Sequence, residues 1–252
     1  MEEAGEDPPV RQYVPPKKKT TWCTAPNVAL LLAAVAGVGC WFGDEQFSVT
    51  PTWTLHLNAT GTAPVLSQRI VVPVSRVAPT VLLVSILLIA LARRAGGTAA
   101  SVLRRLELVL STSVITALLG VLAGCVDFWL LLALFQLGAT QAIALILQDF
   151  LFSVGRAEHL AHLLALFAWI GSWIVVFDHV AHTRVPQTIR GALGVYFVTS
   201  LPLFGVSWYR SLRGLTLERV EAARDFISVG ARTVLVIMLT AGLQAVKRGI
   251  LV

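Results

Sequence analysis

The sequence predicts an all-α integral membrane protein: a bundle of seven transmembrane helices with its N-terminus inside and a short β-hairpin in the first outer loop. Three observations carry this fold class. Hydrophobic residues make up 56% of the 252-residue chain and charged ones 13%, against roughly 25% charged in an average soluble protein, and the mean hydropathy is +0.76. Seven stretches approach the about 20 apolar residues that a spanning helix needs, lipid offering the backbone no hydrogen-bond partner. Lysine and arginine are distributed unevenly between the two sides these spans define.

Residues 1–26 form a polar tail, acidic at first, then proline-rich, then basic at Lys17, Lys18 and Lys19. The tail lacks the apolar core and small-residue cleavage site of a secretory signal, and it is too acidic for an ordinary mitochondrial presequence. Its lysines read as an anchor at anionic headgroups. Residues 27–252 form the membrane domain, whose expected spans are Asn27–Phe42, Ala78–Ala92, Leu106–Val126, Phe128–Leu147, His159–Phe177, Ile189–Tyr209 and Phe226–Val246. The first two are short and reach across by tilting or by using flanking residues.

With seven spans, one side carries Arg11, the three tail lysines, Arg93, Arg94, Arg104, Arg105, Arg156, Arg210, Arg213, Arg219 and Arg224. The other carries Arg69, Arg76, Arg184, Arg190, Lys247 and Arg248. The first set outnumbers the second by thirteen to six, which puts the N-terminus inside. The net charge of +6 is then an insertion signature, and nucleic acid is not an expected partner. The chain reads as multi-pass; the mitochondrial inner membrane and a cell or organelle membrane fit its residues alike.

The longest connection, about Gly43 to Val77, alternates β-branched and aromatic residues between Pro51, Gly61, Pro64 and Pro73, the pattern of a short hairpin capping the bundle. It contains the sequon Asn58-Ala59-Thr60, a glycosylation acceptor if that side faces the secretory lumen. The other connections are short, so consecutive helices are expected to be antiparallel neighbours. Three cysteines, Cys23, Cys40 and Cys125, without a CxxC, indicate neither a zinc site nor a disulfide framework; Cys40 and Cys125 fall near outer span ends, where a bridge requires their helices to touch.

His159 and His162, and His179 and His182, sit three apart at opposite ends of the fifth span. About 30 Å of helix separates the two pairs, and neither has a third ligand nearby in sequence, so no metal is expected. Asp127, Asp149, Glu158 and Asp178 mark span ends. There is no phosphate-cradling glycine loop, nucleophile elbow or HExxH pattern, and catalysis is not expected.

The charges within the spans say more. Glu107 lies just inside the third span, followed by Ser111, Thr112 and Ser113, and Arg232 lies in the same half of the seventh. A lone arginine near a helix centre costs roughly 2.5–3.5 kcal/mol on insertion scales, so a Glu107–Arg232 pair is one expectation. Separate snorkelling of each side chain to the interface is the alternative.

The segments FSVTPTWTLHL, LRRLELVLSTSV, LLALFQLGATQAIALILQD, WIGSWIVV and ARDFISVGARTVLV resemble, in order and spacing, those of the heliorhodopsins, inverted seven-helix retinal proteins of rhodopsin-like fold. The resemblance covers most of the chain from about Asn27 to Gly242. It implies that Glu107 stands at the counterion position and Arg232 where the family carries its retinal-binding lysine. A guanidinium stays protonated and cannot condense with an aldehyde. Lys247, the only lysine beyond the tail, is fifteen residues on, about 22 Å along a helix. Covalent retinal is therefore not expected, and no other cofactor is implied, although bound lipid is compatible with a vacated pocket.

Ser111, Trp169, Trp173, Phe204, Trp208, Ser228 and Met238 are candidates to line or fill that space. The resemblance also implies homodimerisation through the fourth and fifth helices and the outer cap, with Gly138-Ala139-Thr140 allowing close helix approach. The favoured role is a non-catalytic scaffold subunit of a larger membrane assembly, an energy-transducing respiratory complex being one setting. The alternative is a light-independent sensor or ion-conducting protein, or a noncovalent retinoid or lipid binder.

Overall fold

The computed structural model describes residues 25–41, 48–49, 52–54, 67–69, 72–125, 127–154, 159–183, 185–213 and 217–247. The expected tail up to Thr24, the sequon at Asn58 and the loop residues Arg156 and Glu158 lie outside them. The described part is predominantly helical. Its helices are α1 (Ala25–Trp41), α2 (Val74–Ala95), α3 (Gly97–Leu122), α4 (Phe128–Ser153), α5 (His159–His182), α6 (Gln187–Ser200), α7 (Pro202–Arg213) and α8 (Leu217–Lys247). Six helical stretches are long and apolar enough to cross a membrane, the fifth of them running through α6 into α7, while α1 contributes a shorter apolar stretch, Leu30–Cys40. The chain is a multi-pass integral membrane protein.

The short hairpin expected in the first outer loop is not seen as such among the described residues. Instead two small antiparallel ladders are present: β1 (Ser48–Val49) on β4 (Val72–Pro73), and β2 (Thr52–Thr54) on β3 (Ser67–Arg69). The chain between β2 and β3 lies outside the described residues. Cys40 and Cys125 are both unbridged. Cys125 is buried in the turn after α3, and that burial pushes its thiol pKa up, keeping it protonated and poorly reactive.

Two helices begin much earlier than their apolar cores. α3 starts nine residues before Leu106 and α8 nine before Phe226. These extra turns hold Arg104, Arg105, Glu221 and Arg224, charges that a hydropathy reading excludes but that a helix carries at the membrane interface. The sixth expected span comprises two consecutive helices, α6 and α7, parted at Leu201, because Pro202 supplies no N–H to the preceding turn. Leu201 itself keeps helical backbone, φ −53° and ψ −43°, so the apolar stretch Gln187–Val206 runs on through the junction.

The helices pack as a ring. α1 to α5 lie against one another in sequence order, α5 meets α7, and α8 touches α1, α2, α6 and α7. The α3–α4 seam is the tightest. A Cβ added at Gly138 would stand 2.8 Å from the Ser113 Cα and 2.9 Å from the Thr112 carbonyl, so only glycine lets the two backbones approach this closely. The glycine that the resemblance offers to a dimer interface is thus occupied inside the bundle. Between α5 and α6 large rings fill the gap: Trp169 stacks on Phe197 at 5.0 Å, and Trp173 meets Phe197 edge-on at 5.0 Å. Thr183 ties the end of α5 to the turn after α3 by donating to the Ala123 carbonyl at 2.8 Å.

Candidate functional site

Glu107 and Arg232 meet. They are 5% and 3% exposed, and the Arg232 guanidinium donates to the Glu107 carboxylate at 2.5 Å and to the Ser85 hydroxyl at 2.8 Å. α8 and α3 thus each place one charge in the interior, and α2 adds a neutral acceptor. Ser111, one turn beyond Glu107, donates to the same carboxylate oxygen at 2.9 Å. Tyr196 of α6 lies within electrostatic reach of Arg232. Of the two sequence expectations the pair is the one realised; neither side chain snorkels. The arrangement follows from desolvation: a charge buried alone costs several kcal/mol, and pairing with added hydrogen bonds offsets most of it.

The pair borders a cavity of about 240 Å³ that runs between α3, α4, α5, α6 and α8. Its lining on α3 extends from Ser101 to Leu119, about 27 Å of axis at ~1.5 Å per residue. The space is therefore long and narrow. At the end bearing Arg104 and Arg224 its rim is charged, and two ion pairs hold that rim. Arg224 donates to Asp149 at 2.5 Å, and Arg104 pairs with Glu221. Arg105, also at the rim, has no acidic partner among the described residues. Deeper in, the walls are Leu119, Leu145, Trp169, Trp173 and Val176.

Two mostly buried polar side chains, Gln141 at 6% exposed and Ser228 at 7%, line this space. The Arg232 Nε is buried without a hydrogen-bond partner among the described residues. A wall with such groups accommodates water or a ligand bearing hydrogen-bonding atoms.

The sequence candidates divide. Trp169, Trp173 and Ser228 line the cavity. Ser111 faces Glu107 instead. Phe204 stands behind the wall, its ring 5.3 Å from Trp169. Trp208 is half exposed and lies 5.4 Å from the His162 ring. Met238 packs against the apolar core. These last three do not reach the cavity because they sit on helix faces turned toward α5 or the core.

His162 is buried and 3.5 Å from the Gln148 amide oxygen, and His179 and His182 bond to backbone carbonyls one turn back. No group of three metal-ligating side chains occurs among the described residues. Lys247 ends α8, with its side chain outside the described residues.

Sequence reasoning missed the rim pairs, Gln141 and Tyr196. A signal for most of the lining was present: Glu221, Asp225, Ser228 and Arg232 recur at i, i+4, i+7 and i+11, one continuous polar stripe along α8. Ser101, Arg104, Glu107 and Ser111, at i, i+3, i+6 and i+10, form a similar stripe on α3. On α4 the signal is weaker: Gln141 and Gln148, seven residues apart, share a helix face but are separated by an apolar run. Comparison with protein-family models and with curated proteins returns no match.

Proposed function

We propose that this chain is a heliorhodopsin-like seven-span membrane protein, N-terminus inside, in which a fixed ion pair replaces the chromophore linkage and no covalent retinal forms. The observation that carries this reading is the Arg232 guanidinium held between Glu107 and Ser85. A lysine there could lose its proton and form an imine; a guanidinium cannot. The protein is non-catalytic.

Two roles suit such a protein, and the cavity favours one. A scaffold subunit of a larger membrane assembly, respiratory or otherwise, needs no interior space, whereas a noncovalent retinoid or lipid binder does. The Gln141 amide, which lines the cavity together with Trp169 and Trp173, supports a neutral apolar ligand with a hydrogen-bonding end, since Glu107 and Arg232 already neutralise each other. The scaffold role is supported only by the exposed apolar face of α5, including Leu160, Phe167 and Ile174, which the bilayer itself can cover.

Adding retinal to the purified protein and recording its absorption tests the reading. The expected spectrum has no band that survives denaturation as an adduct. A covalent chromophore would overturn the proposal. Arg232→Lys with added retinal is the sharper variant: a new imine band is expected if the cavity accepts the polyene. Isolation from the native membrane then separates the roles, with a co-purifying small molecule expected for the binder and stoichiometric partner subunits for the scaffold.

A further inference from the structure

A second space lies on the outside of the bundle. Between α1 and α8 runs a groove of about 350 Å³, walled by Leu30, Ala33 and Ala36 on one side and Val229, Thr233 and Ile237 on the other. Thr233 spends its hydroxyl on the Val229 carbonyl at 2.8 Å, so the wall it presents is apolar. Gly230 is exposed, and a Cβ there would meet nothing within 4 Å. From Asp225 to Ile237 the groove follows α8 for twelve residues, about 18 Å at ~1.5 Å per residue. That is close to one leaflet, half of a hydrocarbon core about 30 Å thick.

One end of the groove is not apolar. Arg93 and Asp225 both line it there, within electrostatic reach of each other. One carboxylate oxygen of Asp225 is buried without a hydrogen-bond donor, although Arg104 and Arg93 both lie within its electrostatic reach. Cation and anion together at the end of a leaflet-length apolar groove describe the complement of a zwitterion. A lone phosphate would suit Arg93 but would set a second anion against Asp225. A quaternary ammonium would bring charge but no N–H. A primary ammonium supplies both, as a charge-assisted hydrogen bond.

We propose that the α1–α8 groove holds one acyl chain of a membrane phospholipid, and that Arg93 and Asp225 select a headgroup carrying a phosphate and a primary ammonium, as in phosphatidylethanolamine. The groove and the interior cavity share one lining residue, Asp225, while Gly230 and the apolar walls belong to the groove alone; the orientation proposed above decides only which leaflet supplies the lipid.

The full chain, delipidated in detergent, is offered phosphatidylethanolamine, phosphatidylcholine and phosphatidylglycerol with identical acyl chains, and retained lipid is read by native mass spectrometry. Retention of the ethanolamine lipid several-fold above the other two is expected. With mono-, di- and trimethylated headgroups retention should fall stepwise, a series that needs no variant. Asp225→Asn should reduce the preference over the choline lipid to less than twofold while chain binding persists, and Gly230→Phe should remove retention of all three. Equal retention of ethanolamine and choline lipids, or a preference for phosphatidylglycerol, overturns the proposal. So does cross-linking between Gly230→Cys copies in lipid bilayers, which would give the groove to a second chain.

Discussion

The interior ion pair and the two rim pairs use the same chemistry in different surroundings. Arg232 and Glu107 are almost wholly buried, whereas the Arg104 and Glu221 side chains are 24% and 29% exposed. Arg224 and Asp149 fall between, at 10% and 23%. The difference is in what happens when one partner is lost. At the rim, water re-solvates the survivor; in the narrow interior little can, so the cost approaches that of an orphaned charge. Depth, more than geometry, ranks the three.

Breaking the interior pair should have the largest effect. Arg232→Leu leaves Glu107 buried beside Ser111 alone and is expected to cost about 3–5 kcal/mol, read as loss of the cooperative unfolding transition in detergent or as failure to accumulate. Unchanged stability would mean that the carboxylate finds another donor. Arg224→Gln removes a mostly buried charge from Asp149 and should cost on the order of 1–3 kcal/mol. A loss as large as that of Arg232→Leu would erase the distinction between rim and interior. Glu221→Gln should change stability by no more than about 1 kcal/mol, and by less in 1 M salt, where screening reaches about 3 Å. Salt should leave the Arg232→Leu effect intact, and equal salt sensitivity in both variants would show that water reaches the interior pair.

How much of this was legible in the sequence depended on whether a single helix carried the signal. The apolar runs announced the spans, and the cost of a lone intramembrane charge brought Glu107 and Arg232 together across 125 residues. The early starts of α3 and α8 were hidden because hydropathy stops at the first arginines while the helix does not. The break at Pro202 was readable from the proline, but the continuous apolarity around it favoured one span. Gly138 pointed to close packing, though the sequence could not say against which neighbour; the structure gives α3. The cavity itself was not legible. It depends on how far apart α4, α5 and α6 stand, which is set jointly by the glycine at one seam and the indole rings of the other.

The salt bridge between α3 and α8 also bears on how the protein behaves in an electric field. An isolated charge moved through a polarised bilayer exchanges about 2.3 kcal/mol per 100 mV. Two opposite charges joined by one hydrogen bond present almost no monopole to that field and shift together if their helices shift. A bundle with this interior draws little work from the membrane voltage, and whatever gating charge it has must reside in the arginines at its ends.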